Sequence, residues 1–207
     1  MKAIIFDLDN TLIDWHDEFI FALNNVLKNM NYNFDEKLIA KIDNVIDNYD
    51  KNSTKLDKYD MLSRINKVCN LDLPKEFIDK LIISQKDCFY SNPKLIEIIK
   101  YLAKKYDLYV ISNWFTETQI GRLENMGILK YFKKVIGADI NYLKPDKRAF
   151  DIILECYDSK DCISIGDSLE NDVIIPLSLG MDAYWKTNLK SDKYKIIENL
   201  EDLLEIL

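Results

Sequence analysis

Residues 4–14 read IIFDLDNTLID and place three carboxylates directly after an apolar run. Carboxylates repel one another and resist burial, so acids at the end of a buried strand need a cation or a chemical use. Asp7 and Asp9 are two residues apart, and an extended segment returns such side chains to the same side. One could meet a reacting atom and the other its leaving group. Asp14 has no such role and marks the exit from the loop. Three later apolar runs also end in polar residues: Leu108–Ile111 leads into Ser112-Asn113, and Cys162–Ile165 into Gly166-Asp167. Val135–Gly137 is followed by Asp139 and then by Lys144-Pro145. Carboxylates, a hydroxyl, an amide and one lysine thus stand at four strand ends. Asp139 by itself is read as a loop or capping residue.

These runs, with Ala183–Trp185, are rich in β-branched and aromatic residues and are expected as strands. Helical periodicity is expected between them at Lys94–Lys105, Thr116–Met126, Asp146–Tyr157 and Leu169–Leu179, with Pro176 kinking or shortening the last. Gly127 and Gly180 stand where helices are capped, and Asn199–Leu207 is expected as a final helix. Strands alternating with helices imply an α/β fold, a Rossmann-like parallel sheet with helices on both faces. Ligands of such sheets bind beyond the carboxyl ends of the strands, where all four polar groups fall.

One segment breaks the alternation. Between Trp15 and Tyr90 no strand is expected, only helices at Asp17–Met30, Asp35–Tyr49, Leu56–Cys69 and Pro74–Tyr90. The expected domains are therefore a catalytic core of residues 1–14 and 91–207 and an inserted all-α cap of residues 15–90.

Composition narrows the function. The 207 residues are 48% hydrophobic, ordinary for a packed protein, and carry a net charge of −7, which a nucleic-acid backbone repels. No apolar run is long enough to span a membrane, and the N-terminus meets Asp7 too soon for a signal peptide. A cytoplasmic protein is expected, and Asn52-Ser53-Thr54 is read as a loop rather than a glycosylation site. Cys69, Cys88, Cys156 and Cys162 lack C-x-x-C spacing and are read as free thiols. His16 is the only histidine, which leaves little material for Ser-His-Asp chemistry or a His-rich zinc site.

Four motifs stand in order at the strand ends: Asp7-Leu8-Asp9-Asn10-Thr11, Ile111-Ser112-Asn113, Leu143-Lys144-Pro145, and Gly166-Asp167-Ser168 through Asn171-Asp172. Together they resemble the haloacid dehalogenase-like (HAD) hydrolase superfamily, in the branch with a helical C1-type cap after the first strand. The resemblance implies a Mg²⁺-dependent phosphatase that hydrolyses a small phosphorylated metabolite through an aspartyl-phosphate. Asp7 would be the nucleophile, and Asp9 the acid for the leaving alcohol and then the base for water. Lys144 would set a positive charge beside Asp7 and the phosphate, whose oxygens Asn10, Thr11, Ser112 and Asn113 would bind. The metal would be held by Asp7, Asp167 and the main-chain carbonyl of Asp9, with Asp172 acting through water or orienting Lys144. The cap would select the substrate, with Trp15, His16, Trp114 and Phe115 lining the pocket or packing the two domains together. Arg64, the only arginine of the cap, is read as a surface residue. A monomer or a homodimer fits the family. The alternatives are a phosphosugar mutase, a 2-haloacid dehalogenase, a phosphonate hydrolase, a receiver-like signalling protein and a non-catalytic binding protein. Asp9 and Asp167 argue against the dehalogenase. The cap argues against the receiver, and intact Asp7, Asp9 and Lys144 argue against a retired enzyme.

Overall fold

The computed structural model describes residues 2–32, 34–49, 53–88 and 92–207. The expected turn residue Asn33, most of the loop 50–54, the end of the fourth helix and the boundary at residues 90 and 91 lie outside these. In chain order the elements begin with β1 (Lys2–Phe6), α1 (His16–Asn29), α2 (Glu36–Asp47), α3 (Lys58–Cys69), α4 (Lys75–Lys86) and α5 (Pro93–Leu102). There follow β2 (Tyr106–Ser112), α6 (Thr116–Asn125), β3 (Phe132–Gly137), α7 (Asp151–Leu154) and β4 (Cys162–Gly166). The chain ends with α8 (Ile175–Ser178), β5 (Asp182–Lys186), β6 (Ile196–Ile197) and α9 (Leu203–Ile206).

The strands form one parallel sheet in the order β3-β2-β1-β4-β5-β6. β1 is buried along all but its first residue, which is why its sequence is an unbroken apolar run rather than an alternating one. The order reverses direction at β1, with β2 and β3 on one side and β4 to β6 on the other. That reversal opens the crevice of a doubly wound sheet directly beyond Phe6.

Several expected helices are shorter than their periodicity suggests. Residues 146–157 split into a 3₁₀ turn at Lys147–Phe150 and the single turn of α7. Residues 169–179 split into a π turn at Leu169–Ile174 and α8, which Pro176 opens at a position where its missing N–H is not needed. The last helix is likewise a 3₁₀ turn at Leu200–Asp202 followed by α9. β6 was not expected, because two residues carry no readable period. Gly127 and Gly180 do end helical segments, with φ of 77° and 85°. Asp139 caps α6, its Oδ1 accepting from Thr116 N and Thr116 Oγ1 at 2.7 Å each.

The four helices between β1 and α5 bury their apolar faces against one another around Phe19, Leu23, Ile42, Met61, Ile65 and Phe77. The same cluster takes in Trp114, Phe115, Ala138 and Leu143 from loops of the sheet. Two backbone bonds add to this contact, Leu56 N to Ala138 O at 3.1 Å and Leu143 N to Thr54 O at 2.9 Å. The second lies one residue before Lys144, so the insertion is tied to the loop that carries the lysine. All four cysteines are free, and burial pushes the Cys88 and Cys162 thiols up to about 11, which keeps them inert. Among the described residues, no helix is long and apolar enough to cross a membrane.

Candidate active site

Asp7 is the first residue past β1, and its N–H still donates to Ile165 O of β4 at 2.9 Å. The strand end therefore holds it at the crevice. Lys144 arrives from the loop after β3. Its backbone is clamped by the Asn113 amide, which donates to Lys144 O at 2.8 Å and accepts from Lys144 N at 2.7 Å. Lys144 Nζ then sits 2.8 Å from Asp7 Oδ1 and 2.6 Å from Asp172 Oδ1. The π turn delivers Asp172, and Ser168 N donates to its Oδ2 at 3.1 Å. A Cβ at Gly166 would lie 2.2 Å from that carboxylate, so this approach requires glycine. Carboxylate oxygens of Asp7, Asp167 and Asp172 lie within 4.8 Å of one another.

Three carboxylates around one ammonium leave negative charge in excess. Burial raises the Asp7 carboxyl well above its ordinary value against the pull of Lys144, and Asp172, Asp167 and Asp9 push the same way. Asp167 is pushed up to about 6, first by burial and then by Asp172. Burial also opposes the charge on Lys144, but Asp172 and Asp7 outweigh it, and its pKa is raised. A further cation would offset this excess charge. Close-set carboxylate oxygens suit a hard divalent ion such as Mg²⁺.

Asp9, beside this cluster, is held in a second network. Its Oδ2 accepts from Gln119 Nε2 at 2.6 Å and from Ser112 Oγ at 3.3 Å, and its Oδ1 is ion-paired with Arg122 Nη1. A cavity of about 210 Å³ opens between the strand ends and the insertion. Asp7, Asp9, Lys144, Asp167 and Asp172 line it on the polar side, and Trp15, Tyr49, Leu56, Met61 and Trp114 on the apolar side.

The family model of haloacid dehalogenase-like hydrolases matches residues 4–186. The chain belongs to this family. The hydrolase is 28% identical over 205 residues to pyrimidine 5′-nucleotidase PynA of Streptococcus pneumoniae, covering 89% of this chain and 83% of PynA. It is 30% identical over 121 residues to the HAD-hydrolase YfnB of Bacillus subtilis, a match covering 54% of this chain and about half, 52%, of YfnB. The magnesium-bound crystal structure of YfnB has the same fold, with a TM-score of 0.82 at 21% identity over 99% of this chain and 97% of that one. A 2-haloacid dehalogenase from Pseudomonas syringae pv. tomato gives a TM-score of 0.70 at 20% identity over 100% of this chain and 97% of its own.

The hydrolase brings together Asp7, Lys144, Asp167 and Asp172 as one cluster, and Asn10 and Asn113 line the same cavity. Thr11 and Ser112 lie elsewhere. Both are buried, and neither lines the cavity. Thr11 Oγ1 donates to Asp167 Oδ1 at 3.4 Å and accepts from Asp167 N at 3.0 Å, while Ser112 Oγ serves Asp9 and accepts from Trp114 N at 3.2 Å. The Asn10 N–H donates to Ile13 O at 2.7 Å within a turn where Asn10 has φ of 59°. Trp15 and Trp114 both pack and line, meeting edge to face at 4.8 Å. Phe115 only packs, and His16 is exposed beside Asp43. Arg64 bonds Asp60 and Ser53 outside the cavity.

The sequence pattern does not single out Gln119 and Arg122. The one local signal is their i, i+3 spacing, with Thr118 next to Gln119, on a helix poor in apolar residues. All three of these polar side chains are buried.

Cation binding is expected to weaken as pH falls through about 6, because protons then compete for Asp167. The sign follows from the raised folded value. Ionising Asp167 costs the cation-free fold stability as pH rises from its ordinary value through about 6, and a cation reverses that cost. The Mg²⁺-induced rise in Tm is expected to be large near pH 7.5 and small near pH 5, on either side of the raised value. Equal rises at both would show that Asp167 does not hold the ion.

Proposed function

We propose that this hydrolase is a Mg²⁺-dependent phosphatase and that its substrates are nucleoside 5′-monophosphates. The observation that carries the phosphatase reading is Lys144 Nζ, buried between Asp7 and Asp172 at the switch point of the sheet. A carboxylate attacking a phosphate dianion faces roughly 4 kcal/mol of repulsion per charge pair at 4 Å and an effective dielectric near 20. A buried ammonium touching the nucleophile offsets it.

An Asp7 oxygen attacks phosphorus, and the bond to the leaving oxygen breaks with its electron pair on that oxygen, which takes a proton from Asp9. Water then attacks phosphorus, Asp9 takes the water's proton, and inorganic phosphate leaves as the Asp7 carboxylate is restored. Mg²⁺ held by Asp7, Asp167 and Asp172, with the main-chain carbonyl of Asp9, would supply charge neutralisation and orient the phosphoryl group. Asn113 holds Lys144 in place, and Thr11 holds Asp167. Displacement of a halide needs neither the proton donor nor the carboxylate trio, so the site favours the phosphatase over the dehalogenase.

The substrate class follows from the apolar side of the cavity. Trp15, Tyr49 and Trp114 make that side aromatic, against which a planar group can pack. Among the described lining residues Lys144 is the only cation, and Asp9 and Asp47 add negative charge, so a second anionic group would be repelled. An uncharged nucleoside fits both conditions, and PynA is by name a pyrimidine 5′-nucleotidase. On this reading residues 15–90 are a cap on a core of residues 1–14 and 91–207, and the protein works in the cytoplasm as a monomer or homodimer.

Phosphate release from nucleoside 5′-monophosphates, sugar phosphates, phosphoglycolate and p-nitrophenyl phosphate, each with Mg²⁺ or with EDTA, tests the proposal. Metal-dependent turnover is expected, with kcat/KM for UMP, CMP or dTMP at least about tenfold above that for phosphoglycolate, which carries a second anionic group. Turnover without metal would overturn the Mg²⁺ dependence, and none at all would overturn the phosphatase. Preference for a substrate with a second anionic group would overturn the substrate class alone.

A further inference from the structure

We propose that Arg122 is the positioning residue of the acid–base carboxylate, and that it ties Asp9 to the first helix of the insertion. The proposal rests on the role given above to Asp9. Arg122 projects from α6, and its side chain is 1% exposed. A guanidinium that deep is tolerated only when its donors are matched. Here Nε donates to Glu18 Oε2 at 2.7 Å, Nη1 to Asp9 Oδ1 and to Gln119 Oε1 at 2.8 Å, and Nη2 to Asp14 O at 3.2 Å. One side chain thus joins the catalytic loop, the exit from that loop and α1. Packing does not call for this charge, since two carboxylates share it and both come from outside α6.

The consequence for Asp9 is geometric. Gln119 accepts from Arg122, which turns its amide so that Nε2 donates to Asp9 Oδ2 and to Ser112 Oγ at 2.7 Å. A carboxylate has about four lone-pair positions. Arg122, Gln119 and Ser112 take three of them, which leaves one on Oδ1 to exchange a proton with the leaving oxygen or with water. The planar fork of arginine, anchored at Glu18, aims that position. Displacing α1 removes the Glu18 anchor while the bonds to Asp9, Gln119 and Asp14 O remain, so the aim of the fork loosens when the insertion is not seated.

First-turnover kinetics with p-nitrophenyl phosphate separate this role from a structural one. Nitrophenolate leaves without a proton, so the first half of the reaction does not need Asp9, whereas hydrolysis of the aspartyl-phosphate does. Arg122→Met is expected to release about one equivalent of nitrophenolate in a burst and then to turn over about 10²-fold more slowly than wild type. UMP is expected to show the loss with no burst, and Arg122→Lys to recover part of the rate. Glu18→Gln, which keeps size and an acceptor, is expected to give the same burst with about a tenfold loss. If burst and steady-state rates fall by one common factor in Arg122→Met, or neither changes, the positioning role is overturned. If Arg122→Met does not fold, Glu18→Gln and Arg122→Lys decide by the same burst. Wild-type behaviour of Glu18→Gln overturns the tie to α1. A wild-type protein that turns over no phosphomonoester refutes the phosphatase reading itself, an outcome visible before any variant is made.

Discussion

Asp7→Asn is expected to lower phosphatase turnover by about 10⁴-fold or more, equivalent to at least about 5.5 kcal/mol of barrier, while the protein stays folded. An amide has the size of the carboxylate but no anionic oxygen to attack phosphorus, so no covalent intermediate forms. The fold should tolerate the change because the carboxylate is itself costly there. Burial and three neighbouring acids raise the Asp7 carboxyl well above its ordinary value. Its ionised form therefore costs stability that is lost as pH rises through that raised value, and an amide has no such dependence. Without added cation, Asp7→Asn is expected to melt at or above the wild-type Tm at neutral pH. Turnover within tenfold of wild type would show that the nucleophile is another group. A collapsed Tm would show that Asp7 holds the fold together.

Lys144→Met is the second large effect. Turnover is expected to fall by about 10³-fold, because the repulsion between Asp7 and the phosphate is no longer offset. Stability should fall as well, unlike in Asp7→Asn. Lys144 is nearly inaccessible and touches Asp7 and Asp172. Removing one partner from a buried ion pair leaves an uncompensated charge and costs about 3–5 kcal/mol. A divalent cation can supply the missing positive charge, so the Tm deficit should be larger in EDTA than in Mg²⁺. Differential scanning calorimetry under both conditions reads this directly. An equal deficit in both would mean that the lysine and the metal answer to different carboxylates. Unchanged turnover would remove Lys144 from the reaction.

The main part of the site was legible because its signals are local. An apolar run that stays buried on both faces marks a parallel strand, and the residue after it must stand at the sheet's edge. Asp7, Asn113 and Asp167 could therefore be placed at strand ends, and Lys144 in the loop after a strand, without knowing which strand lies beside which. Gly166 before Asp167 was a local sign of close approach, and Asp172 turned out to be the group approaching.

What the amino-acid sequence determined by itself was the alternation of strands and helices, the helical insertion after β1, and the set of residue types at the strand ends. All of these depend on neighbours within a few positions. Tertiary structure alone decided the partners. Thr11 met Asp167 and Ser112 met Asp9 across separations of more than a hundred residues, contacts that exist only because β1 lies between β2 and β4. The π turn that swings Asp172 onto Lys144 replaced a helix that periodicity had made longer. Arg122 and Gln119 are ordinary polar positions on α6 until the tertiary fold buries them beside Asp9 and Glu18. Burial then made matching every donor obligatory, because an unpaired guanidinium in an apolar interface costs far more than a helix face can supply.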